Sequence, residues 1–253
     1  MSRRYYHWAL ILFVVHCTSF LDRRNDFEKG VEFYKRGELQ KAVEHLTAYY
    51  TKRPRSDTTL YYLYDCYKKL NKPLQGMKVL EQLVKIGTRD ENVYLSLFSS
   101  YRRMKQYKKS FSLLVNAPPK VKKTFDDHYT LTRRLFAEIV CGVSKNPIRS
   151  DPIVFAVSKK YLPLFLDGKF HDSDTITNGN LIIILDKLIE PIYPEKFFAL
   201  RNIPNDSYLY LPYMRLISFN IIDLKADLVP DAPASLTTAA QAVLNLKKRG
   251  IID

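Results

Sequence analysis

Residues Gly30–Pro54 read GVEFYKRGELQKAVEHLTAYYTKRP. An apolar stripe of helical spacing leads up to Gly37, and a second stripe begins at Leu39. Small Ala42 lies on the second stripe. Two stripes with a period of 3.6 residues on either side of a glycine predict two antiparallel helices joined by a tight turn.

The same pattern returns every 34 residues between residues 23 and 123. Small residues, leucines and aromatic residues recur in phase, as Ala42, Gly76 and Ser110; Leu46, Leu80 and Leu114; and Phe33, Tyr67 and Tyr101. A small side chain lets two helices approach closely, and the aromatic side chain fills the gap to the next pair. The sequence therefore predicts an α-solenoid of three helix pairs, over residues 23–56, 57–90 and 91–123.

This segment resembles the tetratricopeptide repeat (TPR) family, whose 34-residue signature has small, aromatic and proline positions at these offsets. Tyr64 and Phe98 depart from the signature because the family prefers glycine there, and only the first unit closes with a proline, Pro54. The resemblance implies a stack of helix pairs with a concave face. The first helix of each pair lines that face, and the face binds a peptide.

The peptide-binding positions of the family map onto these first helices. We call them the groove positions: Tyr34, Lys35, Tyr61, Tyr62, Asp65, Lys68, Lys69, Arg102 and Arg103. Lys35, Lys69 and Arg103 are separated by whole repeats, so a solenoid would stack them about 10 Å apart. Such a row of cations favours an acidic peptide or another polyanion as ligand. Alternatively, the cations are solvated helix ends that suit the helix dipole.

Charge and proline content divide the chain into two halves. Residues 23–123 hold 23 Lys and Arg against 10 Asp and Glu, a net +13, whereas residues 151–253 hold 11 against 12, a net −1. Only two of the 13 prolines, Pro54 and Pro73, precede residue 118. We expect an all-α chain of two differently built halves, with residues 124–145 forming one helix that caps the solenoid.

Two segments of the second half resemble the S-layer homology (SLH) module. That family opens with Val-Pro and a nearby Trp, and its second helix starts with Ile-Thr-Arg-Ala-Glu. Residues 198–253 carry Ile203-Pro204, Tyr208 in place of the Trp, and Leu236-Thr-Thr-Ala-Ala240. Residues 151–190 form a shorter copy with Ile176-Thr-Asn-Gly-Asn180. Thr177 and Thr237 are predicted to cap these helices, and the alternative is an unrelated helical domain with ordinary capping threonines.

The SLH resemblance implies anchorage, because these modules hold exported proteins to acidic polysaccharide of the cell wall through the Arg of the closing motif. Asn178 and Thr238 stand at the Arg position in this chain. Neutral donors bind an anion about half as strongly as charged ones. The resemblance therefore implies the fold more firmly than it implies a polysaccharide partner.

The first 19 residues have the order of a secretory signal peptide, with basic Arg3-Arg4, the apolar run Trp8–Val15 and small residues up to Ser19. The run is shorter than the roughly 20 residues that span a bilayer. We therefore expect export to the periplasm or cell envelope of a bacterium, with Cys66 and Cys141 as buried apolar fillers. In one alternative Cys17 is the lipid-bearing residue of a membrane-anchored lipoprotein; in another the segment is an amphipathic helix of a cytosolic protein.

No residue pattern in the sequence indicates catalysis. The five histidines form no H-E-x-x-H motif, and no nucleophile elbow, phosphate loop or paired-cysteine motif occurs. Asp126-Asp127-His128 is predicted to be a helix start, and His171–Asp174 a polar loop. We expect no enzyme activity, no cofactor and no metal.

Three function classes stay open on sequence alone. The first is an exported, non-catalytic scaffold that binds a protein or peptide partner, docked by its SLH-like half. The second is a structural wall anchor that works through that half. The third is a nucleic-acid-binding protein, suggested by a pI near 9.5 but dependent on a cytosolic chain. Attraction to anionic lipid headgroups is a further use of the same charge.

Overall fold

The computed structural model describes residues 26–144, 151–190, 193–195 and 197–252. Over these residues the chain forms twelve helices, and its only extended pairing consists of two isolated β-bridges. The all-α prediction is confirmed. The predicted signal peptide, including Cys17, lies outside the described residues, whereas Cys66 and Cys141 are both buried free thiols.

The helices follow one another with short connections in the first half. Helix α1 runs through residues 26–35, followed by α2 (Leu39–Lys52), α3 (Asp57–Lys69), α4 (Pro73–Lys85), α5 (Glu91–Arg103) and α6 (Tyr107–Asn116). The others are α7 (Pro119–His128), α8 (Arg133–Val143), α9 (Pro152–Ser158), α10 (Asn178–Asp186), α11 (Tyr210–Ser218) and α12 (Leu236–Lys248). Two compact units result, Met1–Ser100 and Tyr101–Asp253, and the division falls inside α5.

The 34-residue period of the sequence is also the period of the helices. Helices α2, α4 and α6 begin at Leu39, Pro73 and Tyr107, each 34 residues after the last. The turn before each has a residue of positive φ: Gly37 (79°), Asn71 (52°) and Lys105 (54°). Such a left-handed residue ends the preceding helix, because the N–H groups that follow turn back to its last carbonyls. In the second unit of the repeat, for example, Lys72 N–H donates to the Tyr67 carbonyl at 2.9 Å.

The small position of the repeat lies at the packing contact between helices. Ala42, Gly76 and Ser110 are all buried, as are the three phased leucines. Within the compact unit Met1–Ser100, α3 packs against both α2 and α4. A Cβ on Gly76 would lie 3.6 Å from the ring of Tyr64. Tyr64 stands where the TPR signature prefers glycine. The small residue opposite accommodates that larger side chain.

The capping helix predicted over residues 124–145 is two helices instead of one. Helix α7 ends at His128, and α8 begins after Thr132, whose hydroxyl accepts the Leu135 N–H at 3.2 Å. Between them the Leu131 carbonyl accepts a hydrogen bond from Ile176 N–H at 2.8 Å. Pairing with this distant segment holds the chain extended, so the helix is interrupted.

Helix α8 is the central element of the second unit. Almost every side chain in it is buried, and it packs against α6, α9 and α12. Gly142 allows the approach to α6, because a Cβ there would lie 2.4 Å from the Tyr107 carbonyl oxygen. A helix whose side chains are buried on almost every side lies at the centre of a core, and here the buried set includes the charged Arg133 and Glu138. Elsewhere in the unit α10 packs against α11, and α12 also packs against α6 and α7.

Candidate binding surfaces

Seven of the nine groove positions lie in the first unit. Tyr34 and Lys35 form the end of α1, and α3 carries Tyr61, Tyr62, Asp65, Lys68 and Lys69. Lys35, Lys68 and Lys69 are exposed, whereas Tyr34, Tyr62 and Asp65 are half-buried. The TPR mapping therefore brings exposed cations and partly exposed aromatic rings onto two neighbouring first helices.

Three of these side chains form a hydrogen-bonded cluster. Tyr34 Oη donates to Asp65 Oδ2 at 2.5 Å, and Lys69 Nζ donates to Tyr34 Oη at 2.7 Å. Lys69 Nζ also lies 2.8 Å from Asp65 Oδ2 and 4.3 Å from the centre of the Tyr34 ring. The hydrogen bond from Lys69, followed by that from Tyr34, lowers the pKa of Asp65. The same carboxylate raises the pKa of Lys69, so both groups are charged at neutral pH.

Aromatic rings continue the surface away from this cluster. The ring of Tyr62 meets Tyr34 edge-on at 5.2 Å and Phe27 at 6.1 Å between centroids. Phe27 in turn packs against Tyr49 at 5.2 Å. Edge-on pairs of this kind add to the stability of the ring contacts and limit their motion. Lys69 of α3 therefore lies at the end of a row of packed aromatic rings.

Tyr61, another groove position, is hydrogen-bonded to the connection that follows α4. Its hydroxyl donates to Asp90 Oδ2 at 3.1 Å and lies 3.3 Å from the hydroxyl of Thr88. Both partners belong to the connection between α4 and α5. The side chain of Tyr61 thus ties α3 to the next turn, and partial burial raises its pKa.

Arg102 and Arg103, the last two groove positions, differ in their surroundings. Arg102 Nε donates to Glu138 Oε2 at 2.5 Å, and the Glu138 carboxylate is buried. Arg103 is exposed. Among the cationic groove positions, Arg102 is therefore engaged in the core of the second unit, and Lys69 is engaged with Asp65. The other three, Lys35, Lys68 and Arg103, are exposed and show no ion pair among the residues described.

Helix starts in the second unit repeat one pattern of hydrogen bonds. The first two N–H groups of α8 and of α10 each donate to carbonyls of the loop that leads to the next helix start. The bonds are Arg133 to Asp174 (3.0 Å), Arg134 to Asp172 (2.9 Å), Asn178 to Ala232 (2.9 Å) and Gly179 to Pro230 (2.8 Å). The start of α8 was not predicted from the sequence. The signal was the apolar-Thr pair Leu131-Thr132, which matches Ile176-Thr177.

The start of α12 departs from this pattern and corrects two predictions. Thr177 caps α10 as expected, but the cap of α12 is Ser235, which accepts the Thr238 N–H at 3.0 Å. Thr237 instead donates through its backbone N–H and its hydroxyl to the carboxylate of Asp126, at 2.9 and 2.7 Å. Asp126 lies near the end of α7 and not at a helix start, because the prolines at residues 118 and 119 begin that helix earlier.

Arg133 occupies the position that Asn178 has in the next start, yet it faces no open surface. Its guanidinium is buried and donates to the carbonyls of Phe170 at 2.8 Å and Pro163 at 2.5 Å. It also lies 4.4 Å from the centre of the Phe165 ring. Burial lowers the pKa of this guanidinium. The arginine therefore holds the loop after α9 in place.

Asn178 and Thr238, predicted as SLH positions, line one cavity of about 220 Å³ in the second unit. Apolar lining comes from side chains that include Leu181, Leu185 and Ile221, and two cations, Lys122 and Lys225, line it as well. Tyr208, the third predicted position, does not line the cavity and is 78% exposed. The structure therefore brings two of the three positions together.

Comparison with known proteins bears on the first half of the chain. The model of the Psidin N-terminal TPR repeat region matches residues 14–114. No curated protein matches the sequence. None of the helices in the described residues is long and apolar enough to cross a bilayer, and the same residues contain no cluster of three or more His, Cys, Asp and Glu arranged to hold a metal. The chain therefore carries TPR-like repeats in an all-α fold, and repeats of this kind generally mediate binding between proteins.

Proposed function

We propose that this chain is a non-catalytic scaffold whose first unit binds an acidic peptide segment of a partner protein. The observation that carries the proposal is the cluster of Tyr34, Asp65 and Lys69. It fixes an exposed ammonium group on a face that also presents Lys35 and Lys68. A charged donor held in one position binds a carboxylate with less loss of side-chain entropy.

Fixed aromatic rings beside these lysines suit the rest of a peptide. The rings of Tyr34 and Tyr62 are half-buried, so each offers part of its surface to an extended chain. Aromatic side chains of this kind supply contact area at low entropic cost in binding surfaces. An acidic segment with apolar residues between its carboxylates fits both features.

Fluorescence polarisation with a labelled peptide of alternating Glu and Leu tests this proposal. We expect the double variant Lys35→Ala/Lys68→Ala to bind at least about tenfold more weakly, as for the loss of two charge-assisted hydrogen bonds. Lys78→Ala, an exposed lysine of α4 outside the groove positions, serves as the matched control. Equal affinity of the double variant and the control would contradict the proposal. Tighter binding of a single-stranded oligonucleotide than of the peptide would favour the nucleic-acid alternative.

Export to a bacterial envelope is the second part of the proposal, and it rests on the order of basic, apolar and small residues before residue 20. Mass spectrometry of the mature N-terminus tests it directly. Cleavage after Ser19 supports a signal peptide, and a lipid on Cys17 supports the lipoprotein alternative. An intact N-terminus from cells would overturn export.

Docking to wall polysaccharide through the SLH-like half is the alternative function. It is favoured by the cavity that joins Asn178 and Thr238 to Lys122 and Lys225, because these lysines supply the charge that the SLH closing motif lacks here. Pelleting with purified wall polysaccharide should fall at least about tenfold in Lys122→Ala/Lys225→Ala. Lys187→Ala, exposed at the end of α10, is the control. No pelleting of the unaltered chain would dismiss this function.

A further inference from the structure

A short loop in the second unit presents three consecutive apolar side chains to solvent. Leu164, Phe165 and Leu166 are 47%, 45% and 110% exposed. The Phe165 N–H donates to the Lys169 carbonyl and the Gly168 N–H donates to the Phe165 carbonyl, both at 2.9 Å. These bonds close a tight turn, so the apolar residues lie at the tip of a projecting loop. A run of exposed apolar side chains marks a surface that contacts an apolar partner.

The tip is held in shape from behind. The Arg133 guanidinium lies over the Phe165 ring and donates to the Pro163 carbonyl, as described above. The His171 ring meets the Phe165 ring edge-on at 4.8 Å. Because both ends of the loop are fixed, binding costs little additional conformational entropy of the loop. Leu164 and Leu166 are the side chains left to project.

Positive charge flanks the tip on both sides. Lys160 and Lys169 are exposed, and two nearby carboxylates, those of Asp167 and Asp172, are engaged by other side chains. The carboxylate of Asp167 lies 2.7 Å from His171 Nε2, and Asp172 accepts a hydrogen bond from Arg134 at 3.0 Å. An apolar tip between exposed lysines complements a surface that is apolar inside and anionic outside.

We propose that residues 163–169 dock the chain onto an anionic lipid bilayer, with Leu164 and Leu166 entering the headgroup region and Lys160 and Lys169 contacting lipid phosphates. A bilayer suits the tip better than a protein does. A stable protein interface needs about 800 Å² from each partner, which a few projecting residues do not supply. Apolar insertion combined with a few lysines is sufficient for reversible membrane binding. None of these loop residues lines the cavity between α10 and α12, so this surface is distinct from the one proposed for polysaccharide.

Co-sedimentation of the full chain with sucrose-loaded vesicles tests this inference. Vesicles of phosphatidylcholine mixed with phosphatidylglycerol should pellet the chain, and vesicles of phosphatidylcholine alone should pellet it much less. Leu166→Asp should weaken binding at least about tenfold, because a fully exposed leucine then no longer enters the bilayer. Leu74→Asp is the control, since Leu74 is 47% exposed, as Leu164 of the tip is, but lies on α4 outside the tip. Leu166 makes no buried contact, so its replacement should leave the circular dichroism spectrum unchanged.

The charge variant Lys160→Glu/Lys169→Glu should lose binding to the anionic vesicles, while Lys248→Glu at the end of α12 should retain it. Equal pelleting of the loop variants and both controls would overturn the inference. Light scattering measures the oligomeric state and so tests whether the tip contacts a second copy of the chain instead of a bilayer. A dimer that Leu166→Asp converts to a monomer, without vesicle binding by either protein, would assign the tip to a second copy and also overturn it.

Discussion

Arg102 Nε lies 2.5 Å from Glu138 Oε2, which joins the end of α5 to the middle of the central helix α8. Thirty-six residues separate the two side chains along the chain. The TPR resemblance assigns Arg102 to a peptide groove. Its guanidinium is the counter-charge of a carboxylate buried in the second unit, whereas the Arg103 side chain is exposed.

Replacing Arg102 should cost stability. Arg102→Ala leaves the Glu138 carboxylate buried without its counter-charge, and removing one partner of a fully buried pair costs about 3–5 kcal/mol. The Arg102 side chain is partly exposed, so we expect a loss of about 2–3 kcal/mol in the free energy of unfolding. Urea unfolding measures it. Arg103→Ala, whose side chain is exposed, should change stability by less than about 0.5 kcal/mol. Equal effects of the two variants would show that the ion pair contributes nothing.

Two glycines should respond in opposite ways to alanine. In Gly142→Ala the new Cβ would lie 2.4 Å from the Tyr107 carbonyl oxygen and 2.8 Å from the Phe111 Cβ. Overpacking of this kind costs about 1–3 kcal/mol or more. In Gly76→Ala the nearest atom is 3.6 Å away, so the higher helix propensity of alanine should raise stability by up to about 1 kcal/mol. Thermal unfolding of both variants checks the pair, and a stabilised Gly142→Ala would contradict the close approach of α8 to α6.

The Asp126 carboxylate should anchor the start of α12. Asp126→Ala removes both acceptors of Thr237 and should lower the free energy of unfolding by about 1–3 kcal/mol. The neighbouring Asp127 is exposed, so Asp127→Ala is the control. In a double-mutant cycle with Thr237→Val, the two losses should be less than additive because they remove the same contact. Full additivity would argue against the hydrogen bonds.

Acid should abolish the contribution of the Asp65 cluster. The hydrogen bonds from Lys69 and Tyr34 lower the pKa of Asp65 below its ordinary value of 3.8. A carboxylate with a lowered folded-state pKa stabilises the fold above its unfolded pKa, and this stabilisation is lost as the pH falls through the folded value. The difference in unfolding free energy between the unaltered chain and Asp65→Asn should therefore be fully present at neutral pH and shrink as the pH falls below 3.8 through the lowered folded-state pKa. A difference that does not change with pH would rule out this ionisation as its source.

The 34-residue helix pairs could be predicted from the sequence, because each depends on residues that are close together along the chain. Helical stripes, a left-handed turn residue and a small residue at the contact all lie within one unit, and Gly37, Asn71 and Lys105 occupy the same place in each. The prediction of a single helix over residues 124–145 was wrong because its interruption depends on a distant segment. Leu131 is paired with Ile176, which lies 45 residues away, and no local pattern records that partner.

The all-α fold and the repeats of the first half could be predicted from the order of residues, because helix periodicity and turn formation depend on residues that are close together along the chain. Which charged groups are exposed depends on tertiary packing. Lys69, Arg102 and Arg133 have the same charge in the sequence, but packing places one against a surface carboxylate, one against a buried carboxylate and one among backbone carbonyls. The partner of a charge depends on which distant segments pack together, and long-range packing is a property of the whole fold.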